Sequence, residues 1–235
     1  MRFLGKNFKN VKFFYYLKNY LLLIIPNFFF RKTLEKRLSN FTKNEIDNLI
    51  ERVNYYNKID NEVKVDSTWS KLSDLKIEKK GKTYFFDAYS ISRSFSSKFK
   101  CNFLFGDIDY VPNKPSFVKS RPINNSQNSI LLKLNKVRHF QYVVDNIKLE
   151  NKADILFGRA AVFQKQRIDF YKKYFNHPMC DLGQINQGTN HDQWVKKKAS
   201  LDTHLKHKFI LCIEGNDVAS NLKWVMSSNS VAVMP

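Results

Sequence analysis

Cysteine is scarce in this 235-residue chain. The three cysteines, Cys101, Cys180 and Cys212, are scattered and form no Cys-x-x-Cys pair. A small secreted domain held by disulfides needs an even set at closer spacing, so this usage argues against a disulfide framework and for a reducing compartment. We expect the three side chains to be small buried hydrophobic groups.

Acidic residues are also few. The chain has 40 Lys and Arg against 21 Asp and Glu, which gives a formal net charge of +19. Such an imbalance implies an anionic partner: a nucleic acid, a phosphorylated ligand or an anionic membrane surface. The hydrophobic fraction of 43% and the aromatic fraction of 15% are typical of a folded protein and exclude general disorder.

No apolar run is long enough to cross a bilayer. Within residues 1–37 the longest uncharged stretch, residues 19–30, is interrupted by Pro26, whereas a spanning helix takes about 20 apolar residues. No small-residue cleavage site of a signal peptide follows it. Residues 1–37 carry nine Lys or Arg and one acid among aromatic and aliphatic side chains, which predicts a segment lying on an anionic membrane surface. An ordinary N-terminal helix packed on the domain is the alternative.

Several nucleotide and metal signatures are missing. Neither Gly-x-Gly-x-x-Gly nor Gly-x-x-x-x-Gly-Lys-[Ser/Thr] occurs, so nothing supports a dinucleotide fingerprint or a P-loop kinase. The histidines at 177, 191, 204 and 207 do not have the spacing of a closed zinc site, and we predict no metal site. No RNA- or DNA-binding module is recognisable.

Local patterns predict a helix and a strand in the first half of the chain. Residues 39–59 read as a helix that Ser39 or Thr42 caps, with apolar residues recurring on one face. Residues 84–88, "YFFDA", read as a strand because aromatic residues dominate them.

Two carboxylates follow a short apolar stretch in the segment "CNFLFGDIDYVPNKPSFVKSRPI". Residues 103–105 are predicted to form a strand that ends at Gly106, and Asp107 and Asp109 come directly after it. A compact basic cluster follows, made of Lys119, Ser120 and Arg121. A carboxylate near cations after a buried strand suits a general base acting on an anionic substrate. A solvated loop is the plainer alternative.

The segment "ADILFGRAAVFQKQRIDFYKKYF" predicts a strand at residues 155–157, a turn at Gly158 and a helix. Arg159, Lys165 and Arg167 lie near the start of that helix. Free N–H groups at a helix start attract anions, so this is a candidate phosphate site. A plain strand–helix unit with surface arginines is the alternative.

The closing segment "HKFILCIEGNDVASNLKWVMSSNSVAVMP" reads as strand, polar loop, helix and strand. This βαβ order is typical of a parallel sheet, whose ligands bind at the carboxyl ends of its strands. Asn216, Asp217 and Ser220 in that loop can bond a base, a ribose or phosphates, and Lys223 adds a positive charge.

This closing segment resembles the CAP10-like glycosyltransferases of family 90. Three earlier blocks share the resemblance in the same order: "FLFGDIDYVPNKPSFVKSRPI", "LLKLNKVRHF" and "FQKQRIDFYKKYFNHPMCDLGQIN". The resemblance covers roughly residues 65–235 and is closest to bacterial members that act in lipopolysaccharide synthesis.

The resemblance implies an α/β protein of GT-B type, with two Rossmann-like domains and a UDP-sugar donor between them. It implies inversion at the anomeric carbon with no metal or other cofactor. The base maps to Asp107 or Asp109, and Lys119, Ser120 and Arg121 lie on the acceptor or phosphate side. The donor contacts map to Arg159, Arg167, Asn216, Asp217, Ser220 and Lys223. The acceptor is a lipid-linked glycan at the inner face of the cytoplasmic membrane, which agrees with the basic segment at residues 1–37.

The predicted domains are a basic aromatic helical segment at residues 1–60, an acceptor-side domain at 61–150 and a donor domain at 151–235. The family continues beyond "VAVMP", so we expect the donor domain to be incomplete in this sequence. A non-catalytic truncated remnant is therefore one alternative to an active transferase. A basic nucleic-acid-binding protein is the other.

Overall fold

A computed structural model describes residues 12–78, 81–124 and 127–235. These residues divide into two compact units, residues 12–137 and residues 138–235. The contacts therefore group the described N-terminal helices with the first unit and residues 138–150 with the second, whereas the predicted boundaries follow residues 60 and 150.

The first unit combines helices with short strands. Its helices are α1 (Lys12–Ile24), α2 (Asn27–Leu38), α3 (Lys43–Tyr56) and α4 (Lys82–Ser92). Its strands are β1 (Ser70–Lys71), β2 (Lys100–Cys101), β3 (Ser116–Val118) and β4 (Ser129–Leu131). β1 pairs antiparallel with β2, and β3 pairs parallel with β4. The short helix α5 (Lys136–His139) leads into the second unit.

Helices α1 and α2 are bent by 103° around the break that contains Pro26. Arg93, at the end of α4, holds this bend because its guanidinium donates to the carbonyl oxygens of Leu22 (2.7 Å) and Ile25 and to Asn27 Oδ1 (3.2 Å). In the described part of the chain no single helix has the length and apolarity to cross a membrane, although by length and composition alone this bent pair could. Residues 1–11 of the predicted membrane segment lie outside the described residues.

The predicted helix at residues 39–59 is confirmed as α3, and Thr42 is its cap. Glu45 N–H donates to Thr42 Oγ1 (3.4 Å), and Thr42 N–H donates to Glu45 Oε2 (2.8 Å), which completes a capping box. Ser39 instead lies at the C-terminal end of α2. The apolar stripe exists, but Ile46, Ile50 and Val53 are all exposed.

The predicted strand at residues 84–88 is wrong, because these residues lie within helix α4. Each of the five is buried, and a helix surrounded by other elements carries apolar residues all round rather than along one stripe. The aromatic content that suggested a strand here reflects packing on several faces.

The second unit is built on one parallel sheet with the strand order β6-β5-β7-β8. The strands are β5 (Ala153–Ala160), β6 (Cys180–Gln184), β7 (His207–Leu211) and β8 (Val231–Val233). The helices of this unit after α5 are α6 (Lys165–Tyr174), α7 (Leu201–Leu205) and α8 (Leu222–Met226). The α/β class with parallel strands is confirmed, and so is the closing βαβ unit, since β7 and β8 pair parallel around α8.

Both faces of this sheet are covered. Successive side chains of β7 point to opposite faces: Ile210 packs with Trp224 and Val225 of α8, and Leu211 packs with Tyr171 of α6. The turn predicted at Gly158 is wrong, because β5 continues to Ala160. A Cβ at Gly158 would lie 3.1 Å from side-chain atoms of the neighbouring strands, so glycine is needed here for close packing.

Candidate active site

The order of the parallel strands makes one edge of the second unit a candidate ligand site. The chain leaves β5 to form β6 on one side and then returns to form β7 on the other side of β5. The crossovers therefore diverge between β5 and β7, and the crevice at the carboxyl ends of two such strands is where ligands bind in open α/β sheets. The loops after these two strands, residues 161–164 and 212–221, line that crevice.

Arg167, on the first turn of α6, ties these two loops together. Its Nη1 donates to the carbonyl oxygen of Ala161 (2.7 Å), its Nη2 to that of Ile213 (3.0 Å) and its Nε to that of Glu214 (2.6 Å). Burial lowers the pKa of Arg167, the charge of Tyr171 opposes this, and the nearby charge of Arg138 lowers the pKa further. A cationic group is thus fixed at the point where the strand crossovers diverge.

Two glutamines from the start of α6 hold the same loop. Gln166 Nε2 donates to the carbonyl oxygen of Gly215 (2.8 Å), and Gln164 Nε2 donates to Asn216 Oδ1 (3.1 Å). Gly215 packs closely against the guanidinium group of Arg167, since a Cβ at this position would lie only 3.0 Å from Arg167 Nη2. The conformation of the "EGND" segment therefore depends on side chains that are about 50 residues earlier in the sequence.

The remaining predicted donor residues lie on the same loop or just after it. Asp217 and Ser220 are half-buried, and the carbonyl oxygen of Asp217 accepts from Gly215 N–H (3.0 Å). Lys223 Nζ lies 4.7 Å from the centre of the Phe140 ring. The predicted helix after the loop is confirmed as α8, but it is only five residues long and begins at Leu222, so its N-terminus makes no anion site.

Arg138 and Phe140 are parts of this edge that the sequence analysis did not assign. Arg138 is exposed and its charge acts on Arg167, while Phe140 lies against Lys223. Both belong to the block "LLKLNKVRHF", whose cluster of basic residues was the available signal. Three cationic side chains, Arg138, Arg167 and Lys223, therefore belong to the elements around the crevice.

Arg159 occupies a different environment from Arg167. Its Nη2 donates to both carboxylate oxygens of Asp181 (3.0 and 3.1 Å), and Lys196 Nζ donates to the same carboxylate (2.8 Å). Burial acts to raise the pKa of Asp181, but the hydrogen bond from Lys196 and the charge of Arg159 outweigh it and lower the pKa. The guanidinium of Arg159 is thus engaged within the sheet, and its contact with a donor stays a prediction.

The two candidate bases lie in the first unit and differ in their surroundings. Residues 103–105 form no full strand, since only Phe103 makes a β-bridge, to Phe117. The chain turns at Gly106, whose φ of 118° favours glycine. Lys119 Nζ forms an ion pair with Asp107 Oδ1 at 2.5 Å, and the Lys119 side chain is only 4% exposed. The Asp107 carboxylate is therefore held by a buried cation.

Asp109 lies two residues further along and is exposed. The structure gives its carboxylate no hydrogen bond or ion pair with the described residues. It sits between buried Ile108 and exposed Tyr110, so the loop is anchored while the carboxylate faces solvent. Both aspartates are exposed, but Lys119 holds the carboxylate of Asp107, which makes Asp109 the better candidate to accept from a substrate hydroxyl.

The basic cluster that follows is used largely inside the first unit. Ser120 Oγ donates to the carbonyl oxygen of Ile108 (3.3 Å). Arg121 donates to the carbonyl oxygens of Tyr55 (2.5 Å), Tyr56 (3.1 Å) and Ser129 (3.0 Å), which fastens the end of α3 to β4. These contacts build the unit, and binding of acceptor or phosphate by Lys119, Ser120 and Arg121 stays a prediction.

No cluster of three or more His, Cys, Asp or Glu side chains in the described ranges is arranged to hold a metal ion. His204 and His207 instead pack on the ring of Phe157, with ring centres 4.8 and 4.3 Å apart. Their Nδ1 atoms contact the carbonyl oxygens of Ser200 and Thr203. His204 and His207 are therefore packing residues of this unit.

The chain is similar to the O-glucosyltransferase LpsA of Dichelobacter nodosus. The two are 35% identical over 225 residues, which is 94% of this chain and 70% of that protein. No protein-family model and no solved structure matches the chain. Because the similarity covers nearly the whole chain, it extends over both units and over both candidate loops.

Proposed function

The chain belongs to the glycosyltransferase family of LpsA, and on that premise we propose that it transfers a sugar from a UDP-sugar to a hydroxyl of lipopolysaccharide or a related surface glycan. The relative's name makes glucose the first donor sugar to test. The resemblance to the CAP10-like enzymes of family 90 makes the proposed architecture GT-B and the proposed outcome inversion without a metal.

The donor proposal rests on one observation, the crevice between β5 and β7. Its two loops are joined by Arg167, and Arg138 and Lys223 belong to the surrounding elements. When the sugar–phosphate bond breaks, the diphosphate of UDP gains negative charge, and fixed cations at that position stabilise the transition state. Asn216, Asp217 and Ser220 then offer the groups that bond the uracil and ribose.

The base proposal follows from the contrast between the two aspartates. The carboxylate of Asp109 takes the proton of the acceptor hydroxyl while that oxygen attacks the anomeric carbon and the bond to UDP breaks. Asp107, which Lys119 holds at 2.5 Å, fixes the loop that presents Asp109. Attack from the side opposite to UDP inverts the anomeric configuration.

The N-terminal helices provide the proposed membrane contact. Exposed apolar side chains occur along both helices of the bent pair α1–α2, for example Phe13, Ile24 and Phe29. Arg31 and Lys32 follow directly on α2. Aromatic and aliphatic groups beside cations suit the boundary of an anionic leaflet, so we place the enzyme peripherally on the inner face of the cytoplasmic membrane.

The test is transfer of radiolabelled glucose from UDP-glucose to a truncated lipopolysaccharide core, with Asp109→Asn and Asp107→Asn compared. A base contributes about 10²–10⁴-fold to the rate, so Asp109→Asn should lose at least about 100-fold in kcat while its affinity for UDP stays unchanged. Asp107→Asn should retain measurable turnover. If Asp109→Asn keeps the wild-type kcat, Asp109 is not the base.

A further inference from the structure

The first unit contains a cavity of about 490 Å³ that the proposed transfer chemistry does not use. It lies between the bend of α1 and α2, one face of α4 and the segment at residues 72–77. Its volume is within the range of about 300–1,000 Å³ that small-molecule sites have.

The cavity is on a different face of α4 from the candidate base. Phe85, Tyr89 and Ser92 line it at spacings of four and three residues, which places them on one side of the helix. Tyr84, on another side, packs against Phe105 with ring centres 5.5 Å apart, and its ring lies 6.0 Å from Lys119 Nζ. A ligand in the cavity would therefore be held away from the loop that carries Asp107 and Asp109.

The lining of the cavity is positively charged. Arg93 is 3% exposed, and its hydrogen bonds go to carbonyl and amide oxygens, none of which carries a charge. Lys76, at the rim, is exposed and makes no ion pair within the described ranges. No Asp or Glu is among the described residues that line the cavity. A buried cation without a counter-charge is costly, so an anionic ligand would be stabilised here.

The rest of the lining suits a ring with hydroxyl groups. Phe85 and Tyr89 stack at 5.4 Å between ring centres and present apolar surface. Ser73, Ser92 and Ser97 also line the cavity. The hydroxyl groups of Ser73 and Ser92 donate to Asp74 Oδ1 (3.1 Å) and to the carbonyl oxygen of Tyr89 (3.4 Å), so their oxygens remain as acceptors for the hydroxyl groups of a ligand. Apolar faces combined with a few placed polar groups give a binding site its orientation and specificity.

We propose that this cavity binds an acidic saccharide of the acceptor glycan, a sugar ring that bears a carboxylate or phosphate group, away from the hydroxyl that reacts. The identification of that saccharide as part of the acceptor depends on the proposed function. The site would give the enzyme a preference for acceptors with an acidic sugar near the membrane-proximal helices.

Binding is measured directly by saturation-transfer NMR on the intact chain, with glucuronic acid as the probe and glucose as the comparison; the affinity of inorganic phosphate is measured by its displacement of glucuronic acid. Ser92→Leu fills the cavity from the helix face, and Lys76→Gln removes the rim charge. Lys64→Gln removes an exposed charge outside the cavity and is the matched control. Urea midpoints of all variants establish that they are folded.

We expect glucuronic acid to bind at least about 5-fold more tightly than glucose or phosphate, because one charge-assisted hydrogen bond contributes about 1 kcal/mol or more. Lys76→Gln should weaken the binding of glucuronic acid about 5-fold and Ser92→Leu about 10-fold, whereas Lys64→Gln should bind it like the wild type. Equal binding of glucose, or of phosphate alone, would overturn the proposal, and so would unchanged affinity in folded Lys76→Gln.

This measurement needs neither donor nor turnover, so its result stands even if the proposed transfer reaction fails. In an active preparation, Lys76→Gln should raise the KM for an acidic acceptor while kcat and the KM for UDP-sugar stay unchanged. A change in the KM for UDP-sugar alone would contradict an acceptor role for the cavity.

Discussion

Removing the guanidinium of Arg167 should release the loop at residues 213–217. The three hydrogen bonds from Arg167 reach the carbonyl oxygens of Ala161, Ile213 and Glu214 at 2.6–3.0 Å. Hydrogen bonds that involve a charged group contribute about 1.5–3 kcal/mol each, but these carbonyl groups regain water once the arginine is gone. We therefore expect Arg167→Ala to lower the free energy that holds the loop closed by about 3 kcal/mol.

The assay is native-state amide hydrogen exchange, read segment by segment. A loss of about 3 kcal/mol corresponds to roughly 100-fold faster exchange in the loop, while exchange in β6 should stay close to wild type. Arg167→Lys keeps the charge but lacks the planar fork, so it should recover little of the protection. Lys172→Ala, which removes an exposed charge from the last turn of the same helix, is the control.

Arg167→Ala and Arg167→Lys should also weaken UDP binding, measured by calorimetry, by at least about tenfold, which corresponds to a loss of about 1.4 kcal/mol in binding free energy. Lys172→Ala should bind UDP like the wild type. If the loop amides of Arg167→Ala exchanged at the wild-type rate, the hydrogen bonds from Arg167 would not be what holds the loop. Full recovery by Arg167→Lys would show that the charge, and not the fork that joins the two loops, is what matters.

Three further predictions concern the second unit. Asp181→Asn should destabilise the protein by about 1 kcal/mol at pH 7, because solvent weakens the exposed part of this ion pair. The folded state lowers the pKa of Asp181, so the deficit should be complete above the ordinary aspartate pKa of about 4 and should shrink as the pH falls below it. A pH-independent deficit in urea titrations would contradict this. Gly158→Ala should cost about 1–3 kcal/mol, because its Cβ would lie 3.1 Å from Leu182 and Leu211; an unchanged urea midpoint would show that the sheet relaxes around it. In a chain that carries Cys101→Ser and Cys180→Ser, which removes the two half-buried thiols, the buried thiol of Cys212, whose pKa burial raises to about 12, should react with Ellman's reagent only after unfolding. Rapid reaction of that folded variant would show that the sheet opens there.

Local sequence patterns predicted the elements whose stabilising contacts are also local. The hydrogen bonds of the Thr42 cap extend only to Glu45, so the four residues 42–45 are enough to predict it. The closing βαβ unit was likewise predictable, because a short apolar run, a polar loop, a helix and a second apolar run follow one another directly. Asn216, Asp217 and Ser220 lie in the loop of this unit, and their contact with a donor stays a prediction.

Contacts between distant residues were not predictable in this way. "YFFDA" has the composition of a strand, and only the elements packed around it make it part of α4. Arg121, Arg159 and Arg167 are equally basic in the sequence, and only the folded chain distinguishes their partners. Arg121 donates to carbonyl groups of α3, Arg159 to the carboxylate of Asp181, and Arg167 to carbonyl groups of the two loops after β5 and β7. The difference between Asp107 and Asp109 also depends on a lysine 12 residues beyond Asp107.

The most direct test of the donor site is an NMR titration of the isotope-labelled chain with UDP. We expect the amide shifts to concentrate in residues 161–167 and 213–223, at the carboxyl ends of β5 and β7, and Arg167→Ala to reduce them greatly. Shifts that are absent, or that fall on other parts of the sheet while these two loops stay unchanged, would contradict a sugar-nucleotide site at this edge.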